Sequence, residues 1–204
     1  MLRAFQIPFE EIIVPLRRAD SRERVLEFSP SGKVPALIDE GHVIWDSLAI
    51  IEYVADCNPE LAIWPKDRVA RAHARSISNE MHSGFQALRQ GCPMDAGTRY
   101  KTPEITEPLQ ANIDRIEAIW AEAQANFGGA GPFLYGAFSA ADAMYAPIAF
   151  RLDGYGIPVS PASRRYIETI FAHPDVAAWR AAALKEPWTI PDYAAGHTAI
   201  ETLR

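Results

Sequence analysis

Two hydrophobic patterns divide the chain. Up to about residue 56, short apolar runs such as FEEIIVPL and ALIDEGHVIW are bounded by Pro, Gly and Ser, which is typical of β-strands and turns. Beyond residue 67, apolar residues recur at intervals of three and four, which predicts amphipathic helices. The Pro-bearing segment CNPELAIWPKD between them is predicted to be a linker. We therefore predict a small α/β domain over residues 1–62 and an all-helical domain over residues 63–204.

The small domain is predicted to follow the order helix end, strand, helix, strand, strand, helix. Residues 1–6 have the pattern of a helix end, and residues 9–16 have the pattern of a strand. Asp20 and Glu23 have the spacing of a capping box for a short helix.

Residues 31–56 carry the candidate binding chemistry. A strand follows Val34-Pro35, an X-Pro bond that can adopt the cis form, and a cis bond would turn the N–H and C=O of Val34 outward. Gly41 and His42 are predicted to turn the chain into a second strand. At Asp46 and Ser47 the period changes to that of a helix, whose first N–H groups, with the Ser47 hydroxyl, suit a carboxylate.

The helical part begins with a helix capped by Asp67. We predict that its apolar stripe continues for about five turns and that its polar stripe is either a solvated face or the wall of a cleft between the domains. The apolar stripe contains Ala70, Ala74, Ile77, Met81, Phe85 and Leu88, and the polar stripe contains Arg71, Arg75, Ser78, His82, Gln86 and Arg89.

Further helices are predicted over residues 107–127, from Ala140 onward, and over residues 161–171 and 174–185. Residues 91–103 between them are predicted to be a long polar loop. Ser139 and Asp142 have the S-x-x-D spacing of a capping box before an apolar run, so we assign them a structural role.

Composition excludes several classes of function. The net charge of −6 leaves no basic surface typical of nucleic-acid binding. Cys57 and Cys92 form neither a C-x-x-C motif nor a metal-ligand spacing, so no metal is expected and a reducing compartment is indicated. No apolar run approaches the roughly 18 residues of a membrane span. We therefore expect a cytoplasmic protein without nucleic-acid or membrane partners.

Three blocks together resemble the cytosolic glutathione S-transferase superfamily. They are Lys33-Val34-Pro35-Ala36-Leu37, then Asp46-Ser47-Leu48-Ala49-Ile50 with Tyr53, and the later block FLYGAFSAADAMYAPI. The resemblance covers residues 2–185. It implies a thioredoxin-like N-terminal domain, an all-helical C-terminal domain, a homodimer, and conjugation of the glutathione thiol to electrophilic small molecules.

The resemblance also implies roles for individual residues. Ser47 and the helix start would bind the γ-glutamyl carboxylate of glutathione, and Asp46 would pair with its ammonium group. The Val34 backbone, presented by a cis Pro35, would bind the cysteinyl portion, and Lys33 would lie near the glycyl carboxylate. Asp46 is shorter by one methylene than the Glu or Gln that more often precedes this Ser in the family.

The thioredoxin-like domain is predicted to be incomplete, because the family places one more strand before the helix end at residues 1–6. The residue that activates the glutathione thiol follows that strand, so it would precede Met1, and no catalytic residue is assigned in this chain. A start codon assigned too late, a shortened chain and a variant without the activating group all remain open.

Two other functions remain open. One is a non-catalytic protein that binds glutathione or a partner on the same scaffold, and the other is a glutathione-dependent isomerase or dehalogenase. By the resemblance, the helix that carries Met81, His82 and Phe85 borders the active site, so these three residues are predicted to line the second-substrate pocket. The sequence does not identify the electrophile.

Overall fold

The computed structural model describes residues 1–188, 190 and 194–203, and the chain forms two compact units. The smaller unit comprises Met1–Ile63 together with the described residues Trp188 and Ile190. The larger unit comprises Trp64–Pro187 together with the described residues 194–203.

The smaller unit contains short elements around an antiparallel hairpin. They are a 3₁₀ helix at Arg3–Phe5, α1 at Ser21–Leu26, β1 at Leu37–Asp39, β2 at His42–Ile44 and α2 at Ser47–Cys57. The buried side chains of α2 belong to Ile51 and Val54, three residues apart on one face, as an amphipathic helix requires.

The predicted strand over residues 9–16 is wrong. The segment forms no regular element, and Phe9, Ile12, Ile13 and Leu16 are 41%, 57%, 51% and 42% exposed. A strand needs a neighbour with which to exchange backbone hydrogen bonds, and residues 9–14 make no backbone hydrogen bond to any described residue. Its alternating pattern is therefore not sufficient to make it a strand.

The predicted capping box at α1 is also wrong. Asp20 occupies the N-cap position, but its side chain accepts no capping hydrogen bond. The neighbouring Ser21 hydroxyl instead accepts from the Arg18 N–H at 2.7 Å and donates to the Pro15 carbonyl at 2.8 Å. Ser21 therefore joins α1 to the preceding extended segment.

The larger unit holds most of the core. Its elements are α3 at Arg68–Ser83, α4 at Gln86–Gly91, β3 at Thr98–Tyr100, α5 at Glu107–Phe127, α6 at Ala140–Gly154, α7 at Pro161–Ala172, α8 at Pro174–Ala183 and β4 at Ala199–Thr202. The bounds of α5 are those predicted from its apolar period. The largest fully buried side chains belong to Trp120, Tyr145, Tyr155 and Tyr166.

The helix predicted to continue through Leu88 is interrupted at Gly84. A Cβ at this position would lie 2.6 Å from the Glu80 carbonyl oxygen, so only glycine fits without movement of the backbone. Phe85 follows with a φ of 59°, and α4 then begins. The Arg89 side chain crosses the break and donates to the carbonyl oxygens of Gly84 and Met81.

The loop predicted over residues 91–103 contains a strand. β3 pairs antiparallel with β4, which lies in the tail where the sequence shows no clear period. Tyr100 is buried and stacks on Tyr155 with ring centroids 4.8 Å apart. This stacking fastens the pair of strands to the end of α6.

The side chain of Asp142, in the first turn of α6, accepts four hydrogen bonds. Its Oδ2 accepts from the Ser139 N–H at 2.9 Å and the Ser139 hydroxyl at 2.8 Å, and its Oδ1 accepts from the Leu134 N–H at 3.1 Å and the Tyr166 hydroxyl at 2.9 Å. Burial raises the pKa of the Asp142 carboxyl, and these donors oppose that rise. The carboxylate therefore links the loop before α6 to α7.

A bidentate ion pair joins α3 to α5. Arg115 donates to both carboxylate oxygens of Glu80, at 2.7 Å from Nε and 2.8 Å from Nη2. The hydrogen bond from Arg115 lowers the pKa of the Glu80 carboxyl. Since the folded-state pKa lies below the unfolded one, the stabilising effect is present above the unfolded pKa and is lost as the pH falls through the folded pKa.

We therefore expect Glu80→Gln to lower the free energy of unfolding by about 0.5–1 kcal/mol at neutral pH, because the pair is partly exposed to solvent. The difference from the unchanged protein should shrink towards pH 3, because protonation of the Glu80 carboxylate removes the ion pair with Arg115. Urea unfolding at the two pH values measures this. Glu104→Gln, at an exposed position, is the control, and an equal loss at both pH values would contradict the prediction.

Candidate functional site

The β1–β2 hairpin sets the geometry of the candidate site. Leu37 pairs with Ile44 at its open end, and Asp39 pairs with His42 beside the turn. The turn residues Glu40 and Gly41 both have positive φ, at 47° and 82°, as a two-residue type I′ turn requires. The chain that enters β1 and the chain that leaves β2 therefore lie at the same end of the hairpin.

The entering chain carries Lys33, Val34 and Pro35. The Val34–Pro35 peptide bond is cis, the isomer that the sequence analysis considered at this position. The backbone of Val34 makes no hydrogen bond to any described residue, and its side chain is 51% exposed. Lys33 is exposed, and its N–H donates to the Ser31 hydroxyl at 3.2 Å.

The leaving chain carries Asp46 and Ser47 at the start of α2. Asp46 is the N-cap, and its Oδ1 accepts from the Leu48 N–H at 3.1 Å. The Ser47 hydroxyl and the N–H groups of Ser47 and Ala49 have no hydrogen-bond partner among the described residues. These donors at a helix start are suited to bind a carboxylate.

Tyr53 holds α2 against the hairpin. Its hydroxyl donates to Asp39 Oδ2 at 2.8 Å, one turn and a half into the helix from Ser47. This bond to the Asp39 carboxylate raises the pKa of the Tyr53 hydroxyl, because the neutral phenol is the form that donates. The bond fixes the orientation of α2 relative to β1 and so positions Ser47.

The serines near this site are engaged elsewhere. The Ser21 hydroxyl bonds to Pro15, and the hydroxyls of Ser29 and Ser31 lie 2.9 Å apart. The Ser31 hydroxyl also accepts from the N–H of Lys33. None of these serines is assigned as an activating hydroxyl.

The predicted second-substrate residues lie in the larger unit. Met81 and Phe85 are 5% and 7% exposed within its core, whereas His82 is exposed at the surface. A second-substrate pocket formed by these three residues remains a prediction.

The predicted polar stripe on α3 and α4 is partly structural. Arg71 donates to the carbonyl oxygens of Pro65 and Lys66, and Arg75 lies over the Trp64 ring at 5.8 Å. Ser78 is fully buried, so the stripe is not a continuous solvated face.

A polar cluster in the larger unit was not indicated by the sequence. His73 Nδ1 lies 2.6 Å from the Tyr135 hydroxyl, and His73 Nε2 lies 3.6 Å from Glu122 Oε1. Burial raises the pKa of the Tyr135 hydroxyl, so it is not poised to ionise near neutral pH. The three residues are far apart in sequence and share no motif, which is why no pattern identified them.

No group of His, Cys, Asp and Glu residues in the described part of the chain could hold a metal ion. None of the described helices combines the length and the apolar character that crossing a membrane requires.

Two family models match the chain. "Glutathione S-transferase, N-terminal domain" matches residues 1–57, and "Glutathione S-transferase, C-terminal domain" matches residues 102–182. The first match contains the hairpin and α2, and the second contains α5, α6, α7 and most of α8.

Individual relatives are similar over different shares of the chain. A probable maleylacetoacetate isomerase of Caenorhabditis elegans is 40% identical over 82 residues, which are 40% of this chain but only 38% of that protein. Maleylacetoacetate isomerase of Rattus norvegicus is 28% identical over 160 residues, 76% of this chain and 71% of that one.

One solved structure with similar architecture is that of maleylacetoacetate isomerase from Methylobacterium extorquens AM1, with bound malonate and glutathione. It has a TM-score of 0.65 and 25% sequence identity, over 91% of this chain and 90% of that one.

Proposed function

Because the chain belongs to the glutathione S-transferase superfamily, we propose that it binds glutathione at the open end of the hairpin and transfers the glutathione thiol to electrophilic small molecules. The observation that carries the proposal is the set of unpaired backbone and hydroxyl groups that the cis Val34–Pro35 segment and the start of α2 present at that end. We include a homodimer and a cytoplasmic location in the proposal, the latter because both cysteines are free thiols.

The ends of glutathione match the chemistry of these groups. Its γ-glutamyl carboxylate would accept from the Ser47 hydroxyl and the N–H groups of Ser47 and Ala49, with the helix dipole favouring the negative charge. Asp46 supplies negative charge for the ammonium group. The Val34 backbone would pair with the extended cysteinyl portion as an added strand does, and Lys33 would attract the glycyl carboxylate.

Activation of the thiol is a separate requirement. A free thiol has a pKa of about 8.5, so at neutral pH it is mostly protonated and a weak nucleophile. A hydroxyl donor or a positive field must favour the thiolate. We assign no residue of this chain to that role, because the nearby serine hydroxyls already have partners.

A glutathione-dependent isomerase is the second candidate. It is favoured by the relatives in Caenorhabditis elegans and Rattus norvegicus and by the similar solved structure, which are all described as maleylacetoacetate isomerases. In that reaction the thiolate adds to a cis double bond, rotation follows, and the thiolate leaves again, so glutathione is regenerated. A conjugation consumes one glutathione for each product molecule.

Thiol consumption separates the candidates. With a chromogenic aryl halide as electrophile, a transferase should lower the free-thiol concentration at the rate at which product forms. With a cis-alkene diacid as substrate, an isomerase should form product at constant free thiol. Binding of glutathione with neither reaction would favour the non-catalytic alternative.

Ser47→Ala tests the binding site. We expect it to weaken glutathione binding roughly tenfold or more, since a hydrogen bond to a charged group contributes about 1.5–3 kcal/mol. Isothermal titration calorimetry measures this. Ser76→Ala is a matched control, because that exposed hydroxyl bonds only to the Ala72 carbonyl of its own helix. Unchanged affinity of Ser47→Ala would exclude the site assignment.

A further inference from the structure

The larger unit contains a cavity of about 340 Å³, which is bounded by the C-terminal end of α5, the loop that follows α5, and α7. The proposed glutathione site, in contrast, belongs to the smaller unit. The volume lies at the lower end of the range for small-molecule sites, about 300–1,000 Å³. It corresponds to roughly eleven water molecules at about 30 Å³ each, so a molecule with a single ring and one short substituent would fit.

The loop after α5 gives the cavity a wall of closely packed backbone. A Cβ at Gly131 would overlap the carbonyl of Gly136, so the loop closes on itself without side chains between. The carbonyl oxygens of Gln124 and Gly128 accept from the N–H groups of Gly128 and Gly131, at 3.0 and 3.1 Å. Because these carbonyls at the end of α5 are already bonded, they repel a nearby anion less than free carbonyls would.

The side-chain hydroxyls of the lining already donate to other groups. The Tyr166 hydroxyl donates to the Asp142 carboxylate at 2.9 Å, and the Thr169 hydroxyl donates to the Arg165 carbonyl at 2.9 Å. These two residues therefore contribute mainly an aromatic ring and a methyl group to the cavity, and Pro132 adds its ring. Such surfaces suit the apolar body of a ligand.

Two side chains of the lining keep their polar groups free. The guanidinium of Arg165 and the amide of Gln124 make no hydrogen bond or ion pair to any described residue. Of the described residues that line the cavity, Arg165 alone is charged. The neighbouring Arg164 pairs with Asp153 at 2.9 Å, and the chain carries a net charge of −6, yet no described acidic side chain pairs with Arg165. The cavity therefore combines one uncompensated positive charge with an apolar surface.

We propose that this cavity binds a small organic monocarboxylate, with its carboxylate on Arg165 and Gln124 and its apolar body against Tyr166. A guanidinium presents two parallel N–H donors that match the two oxygens of a carboxylate, and the amide NH₂ supplies a further donor. One positive charge balances one negative charge, which favours a monocarboxylate over a phosphate dianion.

Fluorine NMR titrations of the full chain test the role of the charge. We expect 4-fluorobenzoate to bind with a dissociation constant of about 1 mM or below, and the neutral 4-fluorobenzamide to bind roughly fivefold more weakly. Arg165→Gln should raise the dissociation constant of the benzoate about tenfold and leave that of the benzamide unchanged. Arg68→Gln, at an exposed position of α3, is the matched control and should change neither. Equal affinities for the two probes, or an unchanged benzoate affinity in Arg165→Gln, would overturn the proposal.

Filling the cavity tests the location. Ala162→Phe adds a ring at the cavity wall and should abolish binding of both probes, whereas Ala172→Phe, at an exposed position of the same helix, should preserve it. Far-UV circular dichroism shows whether both variants are folded. Saturating S-methylglutathione should leave the benzoate affinity unchanged, because the proposed glutathione site belongs to the smaller unit. Displacement of the benzoate, or benzoate binding that survives Ala162→Phe, would place the carboxylate elsewhere and overturn the proposal.

Discussion

Asp142→Ala is expected to lower the free energy of unfolding of the larger unit by about 3–5 kcal/mol. The carboxylate accepts hydrogen bonds from Leu134, from the backbone and side chain of Ser139, and from Tyr166, and it is inaccessible to solvent. Alanine would leave buried donors without partners, and water cannot replace the carboxylate without opening the loop before α6.

Urea unfolding followed by far-UV circular dichroism measures the effect as a lower midpoint at unchanged slope. Asp114→Ala is the control, because that residue is exposed and is bonded by the Gln110 side chain on its own helix. The control should change the free energy by less than about 0.5 kcal/mol. If Asp142→Ala unfolded at the same urea concentration as the control, the carboxylate would not be the structural link described above.

Trp120→Ala is expected to lower the free energy of unfolding by about 3–5 kcal/mol. The indole is 1% exposed on α5 and meets Tyr145 and Tyr166 edge to face, with ring centroids 6.0 and 4.7 Å away. Alanine would leave a large cavity between three helices, whose backbones move together only in part.

Two further variants distinguish packing from hydrogen bonding. The Trp120 indole N–H is buried and has no hydrogen-bond partner among the described residues, so Trp120→Phe removes no bond and should lose less than half as much free energy. Trp179→Ala, where the side chain is 46% exposed, should cost less than about 1.5 kcal/mol. If Trp120→Phe and Trp120→Ala lowered the free energy of unfolding equally, the volume that the side chain fills would not be what stabilises this part of the core.

Local patterns predicted those elements whose stabilising contacts lie within the segment or on one continuous face. The apolar residues of α5 lie on one stripe, and its predicted bounds agree with the structure. The hairpin was predicted from its turn residue and α2 from the change of period at Asp46, although the turn falls at Glu40 and Gly41, one residue before the predicted position.

The other predictions failed where partners are distant in sequence. Residues 9–16 alternate as a strand does, yet pairing depends on a neighbouring segment that the pattern does not contain. β3 and β4 are three and four residues long, too short to show a period, and each exists because of the other. The break in α3 depends on a single glycine inside an otherwise regular stripe.

For the candidate site, the sequence identified which residues lie close together but not which hydrogen bonds each of them already makes. The hairpin brings Lys33, Val34, Asp46 and Ser47 to one end, as the spacing suggested. The carboxylate of Asp46, however, already accepts the Leu48 N–H, so its role towards an ammonium group must be shared with capping. Only the atomic arrangement reveals this competition.

The pairing of β3 with β4 has a consequence for synthesis on the ribosome. Helices α3 to α8 are complete before β4 is translated, yet the edge of β3 has no partner until residues 199–202 have left the ribosome. The nascent larger unit therefore exposes backbone groups beside Tyr100 through nearly all of its synthesis, and chaperone binding at this edge would protect it during that interval.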